Sequence, residues 1–192
     1  ACFDRAEKTF REVEYKEYKA QRPPTADDLL PQIIEAPHLF EAFGIKTFSA
    51  AGFEADDCIA TLERRFESIP DVRIVILTGD RDTLQLVMGE KVVVRAPKKG
   101  ISDTVTYDEK KVQEEYRLLP SQMLDYKALV GDPSDNIKGV PGVGPKTAIS
   151  LLGEYKTLDT ILQSRASDPR VKKIKEHEKE AIFAKRLVTL RF

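Results

Sequence analysis

The stretch Arg73-Ile-Val-Ile-Leu-Thr-Gly-Asp-Arg-Asp82 is the clearest indication of the fold of this chain. Its apolar run at 74–77 is mostly β-branched, which is typical of a strand buried on both faces of a parallel sheet. Two acidic residues, Asp80 and Asp82, follow this run closely. Because ligands bind at the carboxyl ends of strands in open parallel sheets, the stretch predicts a binding edge that carries carboxylates.

Strand and helix patterns alternate on both sides of this stretch. A helix is expected to begin after Thr25, a typical N-cap residue, and to end at Gly44. The alternation predicts an α/β fold with a mostly parallel central sheet flanked by helices. The predicted strands are 1–4, 46–49, 73–77 and 91–94, and the other helices predicted in this part are 55–66 and 83–87.

From residue 108 onward, helical segments joined by short Gly/Pro turns replace this alternation, and no further strand is expected. We therefore divide the chain into an α/β core, 1–107, and a C-terminal helical lobe, 108–192. The composition, 41% hydrophobic and 33% charged, is that of an ordinary soluble protein. Without an apolar run of about 18 residues or a signal peptide, we expect no membrane span and a cytoplasmic location.

The few histidines and cysteines narrow the chemistry. Two cysteines, Cys2 and Cys58, provide no disulfide framework and no zinc spacing, and we expect both to be buried apolar residues. Neither His38 nor His177 lies inside an acidic cluster, which argues against most zinc hydrolases and Ser-His enzymes. Acidic and basic residues are segregated along the chain, which suits a protein that binds a metal in one place and phosphates in another.

Acidic residues gather at strand ends, at a helix start and in a tight loop. Carboxylate oxygens suit hard cations such as Mg²⁺ or Mn²⁺. Two such ions can activate a water and stabilise the leaving oxygen of a phosphodiester. Each cluster alone also fits a helix-start or turn role. The candidate ligands are Asp4, Glu54, Asp56, Asp57, Asp80, Asp82, Asp132 and Asp135.

The second motif is the glycine-rich stretch Gly139-Val-Pro-Gly-Val-Gly-Pro-Lys-Thr147. Pro145 separates its lysine from the last glycine, so the stretch does not match a phosphate-binding P-loop. It predicts a helix-hairpin-helix motif at about 127–152, in which backbone amides at the start of the next helix face a phosphate and Lys146 adds a cation. Such contacts read the DNA backbone and not the bases. The alternative is a structural turn between two packed helices.

Several segments, in this order, resemble the signature blocks of the bacterial 5′-3′ exonuclease and flap endonuclease family. The resemblance implies a PIN/resolvase-like nuclease core with a helix-hairpin-helix lobe. It also implies a structure-selective 5′ nuclease that hydrolyses DNA by a two-metal-ion mechanism in replication and repair. The segments are Phe3-Asp4, Thr9-Phe-Arg11, Tyr18-Lys19 with Arg22, Phe53-Glu-Ala-Asp-Asp57, Thr78-Gly-Asp-Arg-Asp82 with Gln85-Leu86, Leu129-Val-Gly-Asp-Pro-Ser-Asp-Asn136 and Gly139-Val-Pro-Gly-Val-Gly144.

The resemblance also implies residue roles. Lys19 and Arg22 would contact the scissile phosphate and act in catalysis with Asp80. The hairpin turn would hold duplex DNA, with K⁺ between its carbonyls and a phosphate. A first metal would be held by Asp4, Glu54, Asp56 and Asp57, and a second metal by Asp132 and Asp135. Between these two sites would lie Asp80 and Asp82. The residues implied in DNA binding are Gly139, Gly142, Gly144, Lys146 and Thr147.

The chain departs from the family at its front, where the family has a further strand that carries another metal-binding Asp. We therefore expect an N-terminally incomplete core. The expected partner is DNA with a 5′ flap or a 5′ end at a duplex junction. We also expect the protein to be a monomer, and a longer parent chain to carry a polymerase domain. The alternatives are a non-catalytic module that binds branched DNA and a metal-dependent ribonuclease, against which the hairpin turn argues.

Overall fold

The structure, a computed structural model, describes residues 1–99 and 102–191. Its helices are α1 (Phe10–Glu14), α2 (Leu30–Ala42), α3 (Ala55–Phe66), α4 (Glu109–Tyr116), α5 (Met123–Val130), α6 (Pro145–Tyr155), α7 (Leu158–Gln163), α8 (Pro169–Glu176) and α9 (Glu178–Val188). The strands are β1 (Ile74–Leu77), β2 (Val92–Lys99), β3 (Asp103–Tyr107), β4 (Gly131–Asp132) and β5 (Ile137–Lys138). Short 3₁₀ helices cover Arg81–Leu86, Pro120–Gln122 and Pro133–Asp135.

The main sheet has the order β1-β2-β3, with β1 parallel and β3 antiparallel to β2. The α/β class is thus confirmed, but β3 was not predicted. Of its five residues only Tyr107 is buried, so the strand lacks the apolar pattern that marks a buried strand. Beyond residue 108 helices predominate as predicted, although β4 and β5 form an unpredicted antiparallel pair.

Three of the predicted elements differ in extent. The helix expected after Thr25 begins only at Leu30, because Pro31 favours the first turn of a helix. The strands predicted at 1–4 and 46–49 reduce to one parallel bridge between Cys2 and Phe48. By contrast, α3 begins and ends where its apolar stripe predicted.

One edge of β1 is open. β1 pairs with β2 on one side, and its other side faces a groove of about 750 Å³ that residues 1–3 and apolar side chains of α3 also line. Val75 and Leu77 are 45% and 70% exposed, so the expectation that the run is buried on both faces is wrong for these residues. The resemblance implied a further strand in this sheet, and among the described residues no strand pairs with this edge of β1.

A continuous hydrophobic core joins the sheet to the helical lobe. Val92 and Val94 of β2 are fully buried, as are Leu129 of α5 and Ile174 of α8, and all belong to one cluster. Packing of α9 against α5 extends this core to the last described helix. None of the described helices is long and apolar enough to cross a membrane.

The β4–β5 pair presses the backbone of Gly131 against that of Gly139. A Cβ built on Gly131 would lie 2.5 Å from the Gly139 nitrogen, and Gly131 has a φ of +86°, which L side chains rarely adopt. We expect Gly131→Ala to lower the free energy of unfolding by about 2–4 kcal/mol, measured by urea denaturation.

The matched control is Gly153→Ala in α6. A Cβ there would meet no atom within 4 Å, so this variant should gain about 0.5–1 kcal/mol from the better helix propensity of alanine. Similar stabilities of the two variants would contradict the close packing assigned to Gly131.

Candidate functional site

The predicted acidic residues meet between the start of α3 and the end of β1. Glu54 is the N-cap of α3, Asp56 lies in its first turn, and Asp80 follows β1. These positions face the same edge of the sheet, as expected for ligands at strand carboxyl ends. The pocket at this edge is lined by the predicted site residues Lys19, Glu54, Asp56, Asp80, Asp82 and Asp135, together with Arg11 and Tyr18.

Crowding of the carboxylates changes the pKa of Asp56. Burial and the neighbouring charges of Asp80, Glu54 and Asp4 raise the pKa of this carboxyl to about 7, while Lys19 opposes them. Asp4, on the N-terminal segment, lies beside this group, because its Oδ1 accepts a hydrogen bond of 2.6 Å from the Ala55 backbone N–H. An all-oxygen group under mutual repulsion has the chemistry that suits a hard divalent cation.

Cationic side chains neutralise this acidic group. The Nζ atom of Lys19 lies 2.6 Å from Oε1 of Glu54. Arg22 Nη2 lies 2.6 Å from Asp135 Oδ1. The structure thus brings Lys19 and Arg22 to the carboxylates, and their contact with the scissile phosphate stays a prediction.

Lys127 was not predicted as a site residue. Its Nζ atom forms ion pairs with both Asp82 and Asp132, at 2.7 Å from Oδ2 of Asp132. Burial alone would raise the pKa of Asp132, but hydrogen bonds and charge from Lys127, together with hydrogen bonds from Ser134, hold it below its ordinary value. Lys127 therefore joins the acidic edge of the core to the loop of the helical lobe.

Among residues 1–99 and 102–191, no three carboxylate, imidazole or thiol groups are arranged so that they could hold a metal ion. Five of the carboxylates are instead paired with four cations: Glu54 with Lys19 and Arg11, Asp57 with Arg11, Asp135 with Arg22, and Asp82 and Asp132 with Lys127. The donor chemistry fits Mg²⁺ or Mn²⁺, but ion binding requires these side chains to exchange partners. The ligand roles of the carboxylates remain predictions.

Asp57 occupies a different environment, which corrects its predicted place among the ligands. Its carboxylate is 1% exposed and accepts four hydrogen bonds, two from Arg11 and one each from the backbone N–H groups of Glu54 and Arg191. Burial would raise the pKa of Asp57, but these hydrogen bonds and the charge of Arg11 hold it below its ordinary value. With all its lone pairs engaged, Asp57 holds the fold together and is not available to a metal.

Arg11 is the second residue that sequence reasoning missed as a site element. It is 2% exposed and bridges three parts of the chain. Beyond its pair with Asp57, it lies 3.1 Å from Oε2 of Glu54 and donates to the carbonyl oxygens of Leu187 and Thr189. Arg11 belongs to one of the segments that resemble the family, but no local sequence pattern indicates a partner more than 170 residues away.

Tyr18 connects the acidic pocket to the helical lobe. Its buried hydroxyl lies 3.0 Å from Oε2 of Glu54 and 2.9 Å from Oδ2 of Asp135. Burial and these two carboxylates raise the pKa of Tyr18, so the hydroxyl stays protonated and can donate to either one. The next residue, Lys19, reinforces the link because its backbone N–H donates to the Asp135 carbonyl.

The hairpin turn connects β5 to α6. Val140 and Val143 anchor it in the core, while Gly142, Gly144 and Lys146 are exposed. Gly142 has a φ of +71°, and Gly144 is the N-cap of α6, where its extended backbone leaves the first amides of the helix open. These features fit the predicted phosphate-facing turn.

Two of the predicted DNA-binding residues at this turn are less open. A Cβ on Gly139 would overlap the backbone of Val130 and Gly131, so packing alone requires a glycine at this position. Thr147 is half-buried in the first turn of α6.

Known protein families match the whole chain. The family described as 5′-3′ exonuclease, N-terminal resolvase-like domain, matches residues 1–117, and the one described as 5′-3′ exonuclease, C-terminal SAM fold, matches residues 118–192. DNA polymerase I of Mycobacterium bovis is 44% identical over 164 residues, which cover 85% of this chain and 18% of that protein. The 5′-3′ exonuclease of Bacillus subtilis is 41% identical over 169 residues, which cover 88% of this chain and 56% of that protein.

A solved structure shares the fold. T5 5′-exonuclease with bound zinc matches 97% of this chain and 72% of its own, with a TM-score of 0.78 and 24% sequence identity. The chain thus spans less than a fifth of the DNA polymerase I relative and about half of the Bacillus subtilis relative.

Proposed function

The chain belongs to the 5′-3′ exonuclease family, and we propose that it is a structure-selective 5′ nuclease that hydrolyses DNA phosphodiesters. The observation that carries the proposal is the acidic pocket of Glu54, Asp56 and Asp80, with Lys19 and Arg22 paired to carboxylates at its rim. Carboxylates that attract metals, beside cations that attract phosphate, suit the cutting of a phosphodiester.

Two divalent ions, Mg²⁺ or Mn²⁺, would be held by the pocket carboxylates. When bound, they activate a water and neutralise charge on the phosphodiester. The zinc-bound T5 5′-exonuclease, which shares the fold, supports a metal dependence. The proposed ligands are Glu54, Asp56 and Asp80 for one ion and Asp82, Asp132 and Asp135 for the other, with Asp4 beside the first.

The cationic residues then have a second task. Lys19 and Arg22 are paired with Glu54 and Asp135, and both side chains would be free to bind the scissile phosphate if these carboxylates held a metal. Tyr18 keeps this segment attached to the acidic pocket, because its hydroxyl can donate to either Glu54 or Asp135. The segment thus couples metal binding to substrate binding.

The hairpin turn would hold the duplex next to the cut. Its exposed glycines and the open amides at the start of α6 suit a backbone phosphate, and Lys146 adds positive charge. A K⁺ ion would lie between the carbonyls of the turn and the phosphate. The proposed substrate is DNA with a 5′ flap or a 5′ end at a duplex junction, met in replication and repair. We also propose that the protein is monomeric and cytoplasmic.

A second function, binding of branched DNA without cleavage, is favoured by one observation. Lys127 already neutralises Asp82 and Asp132, and the described carboxylates do not converge on a metal position. If these ion pairs persist in solution, the chain would bind DNA through the hairpin turn without cleaving it.

One assay separates these functions. Incubate the chain with DNA that carries a labelled 5′ flap, with Mg²⁺, with Mn²⁺ and with EDTA. We expect cleavage near the junction with either metal and none with EDTA, because the pocket requires cations to neutralise its charge. Retained binding with no cleavage in either metal would support the binding module. Cleavage that persists in EDTA would contradict the metal mechanism, and an RNA flap cut as readily as DNA would favour a ribonuclease.

A further inference from the structure

Lys173 of α8 directs its ammonium group onto the hairpin turn. A Cβ built on Gly142 would collide with Nζ of Lys173, and Cε would lie 3.3 Å from it. The ammonium therefore occupies the space that a side chain at position 142 would fill. Val171 and Ile174, on either side of Lys173 in the sequence, are fully buried and anchor this part of α8 in the core.

The other cations of this helix are already engaged. Arg170 forms an ion pair with Asp168, and Lys175 donates to the Ser164 carbonyl. Lys172 is 79% exposed, with Nζ 3.9 Å from Oε1 of Glu176. Among the part of the chain that the structure describes, Lys173 has no carboxylate or hydrogen-bond partner.

A half-buried lysine without a counter-charge, beside an exposed glycine turn, suits a negative ligand at the turn. Lys146, in the first turn of α6, also lacks a partner among the described residues. We propose that Lys173 binds a DNA backbone phosphate together with the Gly142 turn, so that α8 extends the duplex-binding surface beyond the hairpin. The inference rests on the proposed DNA-binding function and adds a residue on a separate helix.

The test compares variants of two neighbouring lysines. Measure the binding of a labelled blunt DNA duplex by fluorescence anisotropy in EDTA, which prevents metal-dependent cleavage, over a range of salt concentrations. Lys173→Gln should weaken binding by about three- to tenfold and reduce the slope of log affinity against log salt by about one, because one phosphate contact is lost. Lys172→Gln, the matched control, should leave the slope unchanged, and Lys173→Arg should restore most of the affinity.

A second arm tests the contact with the turn. Gly142→Ala should displace Lys173, so it should weaken duplex binding more in the wild-type background than in the Lys173→Gln background. Strain at Gly142 acts in both backgrounds and therefore cancels in this comparison. Thermal unfolding should show that Lys173→Gln is as stable as the wild-type chain.

The outcomes separate the two proposals. If the wild-type chain binds duplex DNA but Lys173→Gln and Lys172→Gln behave alike, the role of Lys173 is overturned and the proposed function stands. If the wild-type chain cuts flap DNA without salt-dependent binding to the duplex, the phosphate contact is likewise overturned. If the wild-type chain neither binds nor cuts DNA, both proposals are overturned.

Discussion

Asp80→Asn is expected to lower the rate of flap cleavage by about a thousandfold while the chain stays folded. Asp80 follows β1, and its Oδ1 accepts a hydrogen bond of 2.9 Å from the Asp82 backbone as the N-cap of a 3₁₀ helix. Asparagine caps helices about as well as aspartate, so the variant keeps this hydrogen bond and removes only the charge. A large loss of cleavage would therefore report the charge at the pocket.

The matched control is Asp108→Asn, which makes the same change at another N-cap. Asp108 caps α4 through a hydrogen bond of 2.7 Å to the Lys111 backbone and does not line the acidic pocket. This variant should cleave at the wild-type rate. DNA binding by Asp80→Asn should be equal to or tighter than that of the wild type, because one negative charge near the phosphate is gone. Unchanged cleavage by Asp80→Asn would remove this carboxylate from the mechanism.

The parts of the site that the sequence predicted follow local rules. Asp80 comes after a recognisable strand, and Glu54 and Asp56 begin a recognisable helix, so their meeting at one edge follows from the α/β pattern. The residues that were missed depend on tertiary contacts. Arg11 reaches the Leu187 carbonyl, and Lys127 joins acids from two parts of the chain, and neither contact leaves a periodic signal.

The same distinction explains the fold. α3 was placed correctly because its apolar stripe and acidic first turn agree on one boundary. β3 was missed because pairing with β2, and not its own composition, makes it a strand. Where two strands were predicted, the structure has only the bridge between Cys2 and Phe48. A strand needs a paired neighbour along its length, and the groove beside β1 leaves these segments without one.

Arg11→Met is expected to lower the free energy of unfolding by about 3–5 kcal/mol, because it leaves the buried Asp57 carboxylate without its partner. The variant also deprives the carbonyls of Leu187 and Thr189 of a donor. Urea denaturation would measure the loss. Arg186→Met is the control, since Arg186 is 60% exposed in its pair with Glu14, and such surface pairs contribute about 0–1 kcal/mol.

A double variant identifies the source of the loss. In the Arg11→Met background, Asp57→Asn removes the uncompensated charge, and its amide oxygen keeps one of the two backbone hydrogen bonds, because the N–H groups of Glu54 and Arg191 donate to different carboxylate oxygens. The double variant should therefore be more stable than Arg11→Met alone, although Asp57→Asn by itself should destabilise the wild-type chain. If the double variant is no more stable than Arg11→Met, lost packing and not the unpaired charge accounts for the destabilisation. Asp57 would then lose the role in holding the fold that its four hydrogen bonds assign to it.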